Sequence, residues 1–433
     1  MNEVIRENNE SAPVLVLHPL IASSIVGFCT GLVVSGFIWL INFIFHHCYE
    51  QPFFSIPYLG RATIIVIPII GFSLVRLLTR LTSEEIAHHP VPELLKTKIL
   101  NYPNRILAMI ITIKPVACAL SIGTGAALGR ESPSVHIGAS IGALLGKFFR
   151  MGESQVKTLV ASGMAAAISA AFNAPLAGII FPLEAMLGEY KVHSISGIVT
   201  AAVTATIASR QFLGEAPAFV IPPFRFDNPF EIVGFSCLGV LSAFVGVAFI
   251  KTFIRSHRFF STMKLNPWSK ALLGGLLIGC LGFFYPRVLG VGFDVIEESF
   301  TGLITIDRLL LLVVLKMLAT SISNSCGAQG GIFGPTLFIG AVAGGSIGKL
   351  LRYFFPEHIQ TSGAYALVGM ASVFGAVFHA PATAILLVFE MTTDYYMILP
   401  IMIATVLAAS IAQALHPQSI NDFLASQLDQ NPI

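Results

Sequence analysis

Charged side chains are scarce in this sequence. Of its 433 residues only 11% are Asp, Glu, Lys or Arg, whereas 55% are hydrophobic. Soluble domains carry about a quarter charged residues, so this composition excludes an ordinary soluble domain. Apolar stretches recur from residue 19 to residue 416. This recurrence predicts one polytopic, all-α membrane domain over that range.

Motifs for several kinds of chemistry are missing. The six cysteines are scattered without a CxxC pair, which favours small buried residues over disulfides or a metal site. A formal net charge of +2, without a basic patch interleaved with aromatics, gives no reason to expect nucleic acid. Neither an HExxH motif nor a catalytic dyad is present. We therefore expect no enzyme, such as an intramembrane protease, and no metal or cofactor. A membrane scaffold that transports nothing is a further alternative, and a measurement of anion efflux from liposomes would distinguish it from a transporter.

The apolar stretches divide the chain into segments. Residues 1–18 form a polar lead-in, and residues 417–433 a short polar tail that we expect to carry no appended regulatory domain. The apolar segments in between are 19–46, 61–80, 105–128, 134–149, 158–186, 192–213, 229–254, 269–287, 308–323, 331–350, 362–390 and 395–416. Two of them contain breaks, at Asn173-Ala-Pro175 and His379-Ala-Pro381. Broken backbone at membrane depth is tolerated where it is buried or lines a polar cavity.

An internal repeat relates the two halves, near 61–213 and 269–416. The segment Gly129-Arg-Glu-Ser-Pro133 matches Gly331-Ile-Phe-Gly-Pro335 at an offset of 202 residues. The two breaks match at an offset of 206, and Glu184 matches Glu390 at the same offset. Repeats with broken helices in corresponding positions indicate a transporter whose binding site lies at the membrane midplane.

The matched Gly/Pro turns predict an anion site. Each precedes a helix, and glycine followed by proline lets the chain turn sharply with its amides exposed. A helix N-terminus carries unpaired N–H groups and about half a positive charge, so it binds anions. Such partial charges also release the anion, as conduction requires. We expect the two turns to face each other at the centre of the bilayer.

Glu131 is the candidate gate. An ionisable side chain inside a membrane segment is costly and by default functional. A carboxylate at an anion-binding helix terminus takes the anion's place when charged and vacates it when protonated. The matching residue in the second half is Phe333, so only the first half supplies the acid.

These segments resemble the CLC family of chloride channels and chloride/proton antiporters. Gly129–Pro133 is similar to its GREGP signature, with Ser132 in place of glycine, and Gly331–Pro335 matches its GxFxP signature. The likeness also covers Phe172–Gly178 and Phe389–Thr392, and runs from about residue 60 to 416. It implies inverted-topology repeats, a homodimer with one pore per subunit, and a multi-pass protein of the inner or plasma membrane.

The resemblance also implies roles for individual residues. Glu131 would be the outer gating glutamate, and chloride would be the transported ligand, without a cofactor. The amides of Ile332 and Phe333 would hold the central anion. The surrounding turn residues Gly331, Arg130 and Ser132 complete the expected chloride site, Arg130 by adding positive potential near the external entrance.

Three positions depart from the family's pattern on the inner side. The serine that contacts the anion is replaced by His89, which follows His88 in the same loop. The tyrosine that closes the inner vestibule falls near Ile420, and the inner proton-accepting glutamate is Ala185. His88 and His89 are either ordinary solvated residues or groups that titrate near neutral pH.

Because Ala185 cannot titrate, we expect chloride transport that is channel-like or weakly coupled to protons. The alternative is chloride/proton antiport along a non-standard inner route. We expect Glu184 and Glu390 to bond backbone amides freed at the breaks, with a role in transport as the alternative. The pattern Gly138-Ala-Ser-Ile-Gly142 resembles a hydrolase motif, but the matching Gly340-Ala-Val-Ala-Gly344 lacks the serine. Both favour close helix packing over a nucleophile.

Overall fold

The computed structural model describes residues 12–50, 60–80, 99–184, 192–219, 221–222, 224, 231–359 and 361–429. These ranges are α-helical, apart from short turns and one isolated bridge, and contain no strand. The first half holds α1 (Ala12–Phe45), α2 (Thr63–Arg80), α3 (Asn104–Gly123), α4 (Glu131–Phe148), α5 (Glu153–Phe172), α6 (Pro175–Pro182) and α7 (Val192–Leu213). The second holds α8 (Glu231–Thr262), α9 (Pro267–Phe284), α10 (Phe293–Thr301), α11 (Ile306–Ser325), α12 (Phe333–Phe354), α13 (Ser362–Phe378), α14 (Pro381–Thr392), α15 (Ile398–Leu415) and α16 (Ile420–Asp429).

The helices reproduce the internal repeat. Helices α3 and α11 are both 20 residues long and begin 202 residues apart. The N-termini of α4 and α12 have the same offset. Helices α6 and α14 begin 206 residues apart, as do α7 and α15. The all-α fold with two inverted repeats is therefore confirmed.

Two predicted segments are each divided into two helices. The chain breaks at Asn173, between α5 and α6, and at His379, between α13 and α14. Both residues adopt the left-handed conformation, with φ of 56° and 53°, and a proline begins the helix that follows each break. Each left-handed residue ends a helix, and the proline starts the next one in a new direction.

Two helices were not predicted from the sequence. Helix α10 has nine residues and α16 has ten, about half of the length needed to cross a bilayer. Helix α16 lies within the predicted polar tail, yet it buries Ile420, Phe423 and Leu424. Its few apolar residues are spaced along one face, which a search for long apolar runs does not detect.

Glycines bring the central helices into backbone contact. A Cβ on Gly138 would collide with the carbonyl of Gly163, and one on Gly340 would lie 2.6 Å from the carbonyl oxygen of Gly369. These pairs join α4 to α5 and α12 to α13. Small residues at such crossings are typical of membrane helix packing. The packing interpretation of Gly138–Gly142 is thus confirmed, and Ser140 is fully buried in the crossing.

The basic residues indicate which end of the bundle faces the cytoplasm. Within the described ranges, eight helical spans are long and apolar enough to cross a membrane. Helices α2 and α9 run antiparallel, because Gly275 approaches Ile69 and Gly279 approaches Ile65. The C-terminal ends of α2 and α8 therefore meet the start of α9. This end carries Arg76, Arg80, Arg255, Arg258, Lys264 and Lys270, so the positive-inside rule assigns it to the cytoplasm.

Helix α16 lies at the same end. The ring of Phe423 contacts those of Phe253 and His257, near the C-terminal end of α8, with centroids 6.4 and 5.5 Å apart. Any cavity lined by α16 therefore opens on the cytoplasmic side.

Candidate anion site and vestibule

The two Gly/Pro turns are joined directly. The amide of Gly129 donates to the carbonyl of Gly331 at 2.7 Å, and the amide of Gly331 donates to the carbonyl of Gly129 at 2.6 Å. Helices α4 and α12 begin two residues after these glycines. Neither N-cap, Arg130 or Ile332, makes a side-chain capping bond in the described structure. The first amides of both helices therefore point toward the shared centre without a bond from the side chain of their own N-cap residue.

Glu131 places its carboxylate at this centre. The side chain is fully buried, and Oε2 accepts a hydrogen bond from the amide of Gly334 at 3.1 Å. Oε1 has no hydrogen-bond partner among the described residues. Gly334 is the second residue of α12, so the carboxylate lies where that helix terminus favours an anion. Sequence reasoning named the neighbouring amides of Ile332 and Phe333 and missed that of Gly334.

The other predicted chloride-site residues lie in the same two turns. Ile332 is the N-cap of α12 and Phe333 its first residue, and both side chains are buried. Ser132 lies over Gly331, because a Cβ on that glycine would come 2.8 Å from the Ser132 Cβ. The structure thus brings the predicted residues together. Their contact with chloride stays a prediction.

Arg130 is held to one side of the turns. Its Nη2 donates to the carbonyl of Ala171 at 3.3 Å, and its guanidinium lies 5.0 Å from the ring centroid of Phe293. These contacts anchor the cation between the end of α5 and the start of α10. The positive charge stays next to Glu131, which offsets part of the cost of burying a carboxylate.

A cavity of about 210 Å³, here called the vestibule, approaches the site from the cytoplasmic end. It touches the second turn through Phe333 and reaches α16 through Asp422. Its volume is sufficient for several water molecules. The polar residues that line it are Glu184, His379, Gln413, Ser419, Asn421 and Asp422.

Four phenylalanines, here called the phenyl cluster, close the vestibule toward Glu131. The Phe333 ring lies 5.6 Å from that of Phe181, 5.1 Å from Phe374 and 4.3 Å from Phe378, measured between centroids. All four residues line the vestibule. Phe333 lines the cavity while the amide of the next residue, Gly334, bonds the Glu131 carboxylate, so the cluster forms an apolar layer where the cavity approaches that carboxylate.

The altered family positions fall in different places. Ile420 is fully buried, and its neighbour Ser419 lines the vestibule instead. The side chain at the position expected for the inner tyrosine is therefore withdrawn from the cavity, and the small hydroxyl of Ser419 stands at the wall beside it. His88, His89 and Ala185 lie outside the described residues.

Glu184 and Glu390 cap each other's broken helices across the repeat. Glu184, after α6, accepts hydrogen bonds from the amides of Ala382 and Thr383 at 3.1 and 2.8 Å, at the start of α14. Glu390, in α14, accepts from the amides of Leu176 and Ala177 at 2.9 and 2.7 Å, at the start of α6. The predicted role of both carboxylates, bonding freed amides, is confirmed.

Two buried lysines were missed by sequence reasoning. Lys114 and Lys316 occupy matching positions of α3 and α11, at the 202-residue offset, and both are buried. The Lys316 Nζ donates to the carbonyls of Val288 and Gly290 at 3.0 and 2.8 Å. A lysine inside an apolar segment, repeated at the same offset, was the available signal.

Comparison with known proteins places these features in one family. The sequence profile of the voltage-gated chloride channel family matches residues 70–413. The H(+)/Cl(-) exchange transporter ClcA of Yersinia pseudotuberculosis serotype IB is 31% identical over 427 residues, covering 95% of this chain and 87% of the relative. The crystal structure of a slow cyanobacterial Cl-/H+ antiporter has a TM-score of 0.87 at 27% identity, covering 96% of this chain and 99% of that chain.

A CLC-type fluoride/proton antiporter has a TM-score of 0.78 at 24% identity, covering 94% of this chain and 97% of that chain. It shares the fold. The matched profile spans most of the chain and contains both Gly/Pro turns, both breaks and Glu131. The chain therefore belongs to the voltage-gated chloride channel family, the CLC family.

Proposed function

We propose that this protein exchanges chloride for protons across the membrane, with Glu131 as the shared gate. The observation that carries the proposal is the hydrogen bond from the Gly334 amide to the buried Glu131 carboxylate. The similar ClcA transporter and the similar cyanobacterial structure are both named for chloride/proton exchange. These names favour the exchange alternative over the channel-like conduction expected from Ala185.

Competition at one helix terminus supplies the gate. The charged Glu131 carboxylate takes the amide of Gly334 in a charge-assisted hydrogen bond, so an entering anion finds that donor occupied. Protonation removes the charge and weakens this bond. The side chain then leaves, and chloride takes its place on the amides at the start of α12. Because the acid returns only after it loses its proton, anion and proton movements are linked.

The surrounding groups suit an anion that must also leave. The site offers amide dipoles, and the nearby cation Arg130 donates a hydrogen bond to the Ala171 carbonyl. Partial charges hold chloride loosely enough for release. The phenyl cluster separates the site from the vestibule, which limits chloride slip while Glu131 is displaced.

Proteoliposomes test this function. A chloride gradient imposed across vesicles with the purified protein should drive protons uphill, recorded as an external pH change together with chloride efflux. Glu131→Ala should keep chloride efflux and abolish the proton movement. Glu153→Gln, an exposed surface change, is the control and should pump like the parent. Chloride efflux without proton movement in the parent would refute exchange and restore channel-like conduction.

A homodimer with one pore per subunit is part of the same proposal. It rests on the resemblance to the family alone. Cross-linking in detergent, followed by mass measurement, should give a dimer, and a persistent monomer would contradict it.

A further inference from the structure

His379 holds an unusual position at the vestibule wall. It ends α13 at the cytoplasmic break and follows Phe378, whose ring lies 4.3 Å from that of Phe333. Its imidazole lines the vestibule. The Nε2 atom is buried and has no hydrogen-bond partner within the described ranges. A buried nitrogen without a partner is costly, so it needs an explanation.

The other titratable groups around the vestibule are already engaged. Glu184 accepts three hydrogen bonds, two from the amides of Ala382 and Thr383 and one from the Thr383 hydroxyl at 2.6 Å. Protonating this carboxylate would weaken the cap of α14. Asp422 accepts from the amide and the hydroxyl of Ser419, both at 2.8 Å.

His416 is engaged as well, because its Nδ1 lies 2.7 Å from the carbonyl oxygen of Gln418. Asp422 and His416 are close enough to His379 to interact with it electrostatically. His379 is therefore the titratable residue that combines a place on the vestibule wall with a free, buried nitrogen in the described structure.

We propose that His379 is the cytoplasmic proton acceptor of the exchanger, taking a proton on its imidazole from vestibule water and returning it toward Glu131. This proposal rests on the exchange function proposed above. Neutral His379 keeps a lone pair on one of its two ring nitrogens. A proton from water converts it to imidazolium, which becomes neutral again when water carries that proton across the phenyl cluster to the Glu131 carboxylate. The neutral acid then releases the Gly334 amide.

The chemistry and the location of His379 both suit this step. Histidine is the side chain whose ordinary titration lies nearest neutral pH, so it both takes and gives a proton under cellular conditions. Phe378 connects it directly to the ring of Phe333. Displacement of that ring by chloride at the neighbouring amide would open the apolar layer at the point where His379 stands.

The turn itself does not require histidine. Its repeat mate Asn173 has φ 56° and ψ 36°, against 53° and 35° for His379. The Asn173 side chain has a structural role. Its Nδ2 donates to the carbonyls of Glu215 and Ala216, and its Oδ1 accepts from Arg210. Asparagine is among the residues that best tolerate this conformation. The same turn therefore folds with a residue that does not titrate.

The test uses His379→Asn and His379→Asp in the full-length protein reconstituted in liposomes. Asn removes the titratable group and Asp restores one of the same size. Protons moved per chloride should fall about 100-fold or more with Asn, the effect expected for losing a positioned acid–base group. Asp should recover most of that loss. Chloride flux should persist in both variants, because Glu131, as the outer gate, still takes its proton from the external side, and this flux also shows that the variants fold. If Asn carries no chloride, His379→Gln takes its place under the same criteria.

Other outcomes identify what has failed. A parent that moves no protons uphill overturns the exchange function and this proposal with it. A parent and an Asn variant that pump equally well overturn the role of His379 alone. If His379 only attracts chloride, Asp should lower chloride flux below Asn without restoring protons. In that case His379→Asn should also slow chloride in a Glu131→Ala background, where a proton acceptor has no effect.

Discussion

Gly129 and Gly331 donate backbone hydrogen bonds to each other, at 2.7 and 2.6 Å, and thereby fix the two helix N-termini face to face. This pairing places the start of α12 against the Glu131 side chain of α4. The space is tight: a Cβ on Gly129 would meet the Glu131 Oε2 atom and lie 2.8 Å from the Gly334 nitrogen. The pair thus sets both the position of the anion site and the room left for its gate.

Gly129→Ala should therefore displace the gate. The carboxylate must move away from the added methyl, and the start of α12 must shift as well, because the methyl would lie 2.8 Å from the Gly334 nitrogen. In the parent, acid should speed chloride flux, because protonation releases Glu131 from the Gly334 amide. In Gly129→Ala, as in Glu131→Gln, flux should be high and nearly independent of pH between about 4 and 8, a range that begins near the ordinary pKa of a carboxyl group and extends about four units above it. Efflux from proteoliposomes at stepped pH measures this.

Gly36→Ala is the control, because the added methyl meets nothing within 4 Å. It should keep the parent's pH profile. A Gly129→Ala protein with the parent's profile would show that the carboxylate does not occupy the predicted place.

The crossed carboxylates should stabilise the fold. Glu390→Gln replaces an acceptor of two backbone hydrogen bonds with a group whose NH₂ faces one of the amides. Hydrogen bonds to charged groups contribute about 1.5–3 kcal/mol, so the variant should unfold at a clearly lower temperature. Glu184→Gln should lose at least as much, since that carboxylate also accepts from the Thr383 hydroxyl. Thermal unfolding in detergent is the measurement.

Glu153→Gln provides the matched control. Its carboxylate pairs with Lys157 at 2.7 Å on an exposed helix surface, where such pairs contribute little to stability. Equal melting temperatures for Glu390→Gln, Glu184→Gln and Glu153→Gln would contradict a structural role of the crossed carboxylates.

The sequence predicted the outer half of the site better than the inner half. The paired turns could be found because the same Gly and Pro residues recur at one offset, and these residues have strong backbone preferences. The gate could be found because an acid in an apolar segment is rare. The vestibule wall has no such signal: His379 sits in an ordinary-looking break, and the phenyl cluster comes from residues spread over α6, α12 and α13. Only the folded chain brings them together.

Chloride should pass faster than fluoride. Fluoride is costlier to dehydrate, and the anion finds amides of α12 beside the apolar ring of Phe333, which compensate poorly for lost water. A dehydration difference of about 1.4 kcal/mol already gives a tenfold preference, so we expect chloride efflux at least about tenfold faster. Ion-selective electrodes on parallel proteoliposome samples measure the ratio, with Glu131→Ala included to separate the site from its gate. Faster fluoride efflux would contradict a site of this kind, whatever fold the fluoride/proton antiporter shares.

Removing a ring from the phenyl cluster should make the protein leak chloride. Phe374 is buried and contacts Phe333 and Phe378, with centroids 5.1 and 4.6 Å apart. In Phe374→Ala, water and chloride from the vestibule should reach the anion site while Glu131 is displaced. Chloride flux should rise and protons moved per chloride should fall.

Removing a buried phenylalanine ring lowers the stability of the fold by about 3–5 kcal/mol. A rise in chloride flux can nevertheless be interpreted, because unfolded protein does not produce it. Phe148→Ala, at a residue that is 77% exposed, is the control and should change neither quantity. The measured chloride flux and proton movement also distinguish the phenyl cluster from the proton acceptor at the cytoplasmic side. Loss of the layer raises chloride flux, whereas loss of the proton acceptor His379 lowers proton movement while chloride flux persists. If Phe374→Ala lowered both fluxes in proportion, the ring would support the anion site rather than close it, and chloride slip would have to be limited by Glu131 alone.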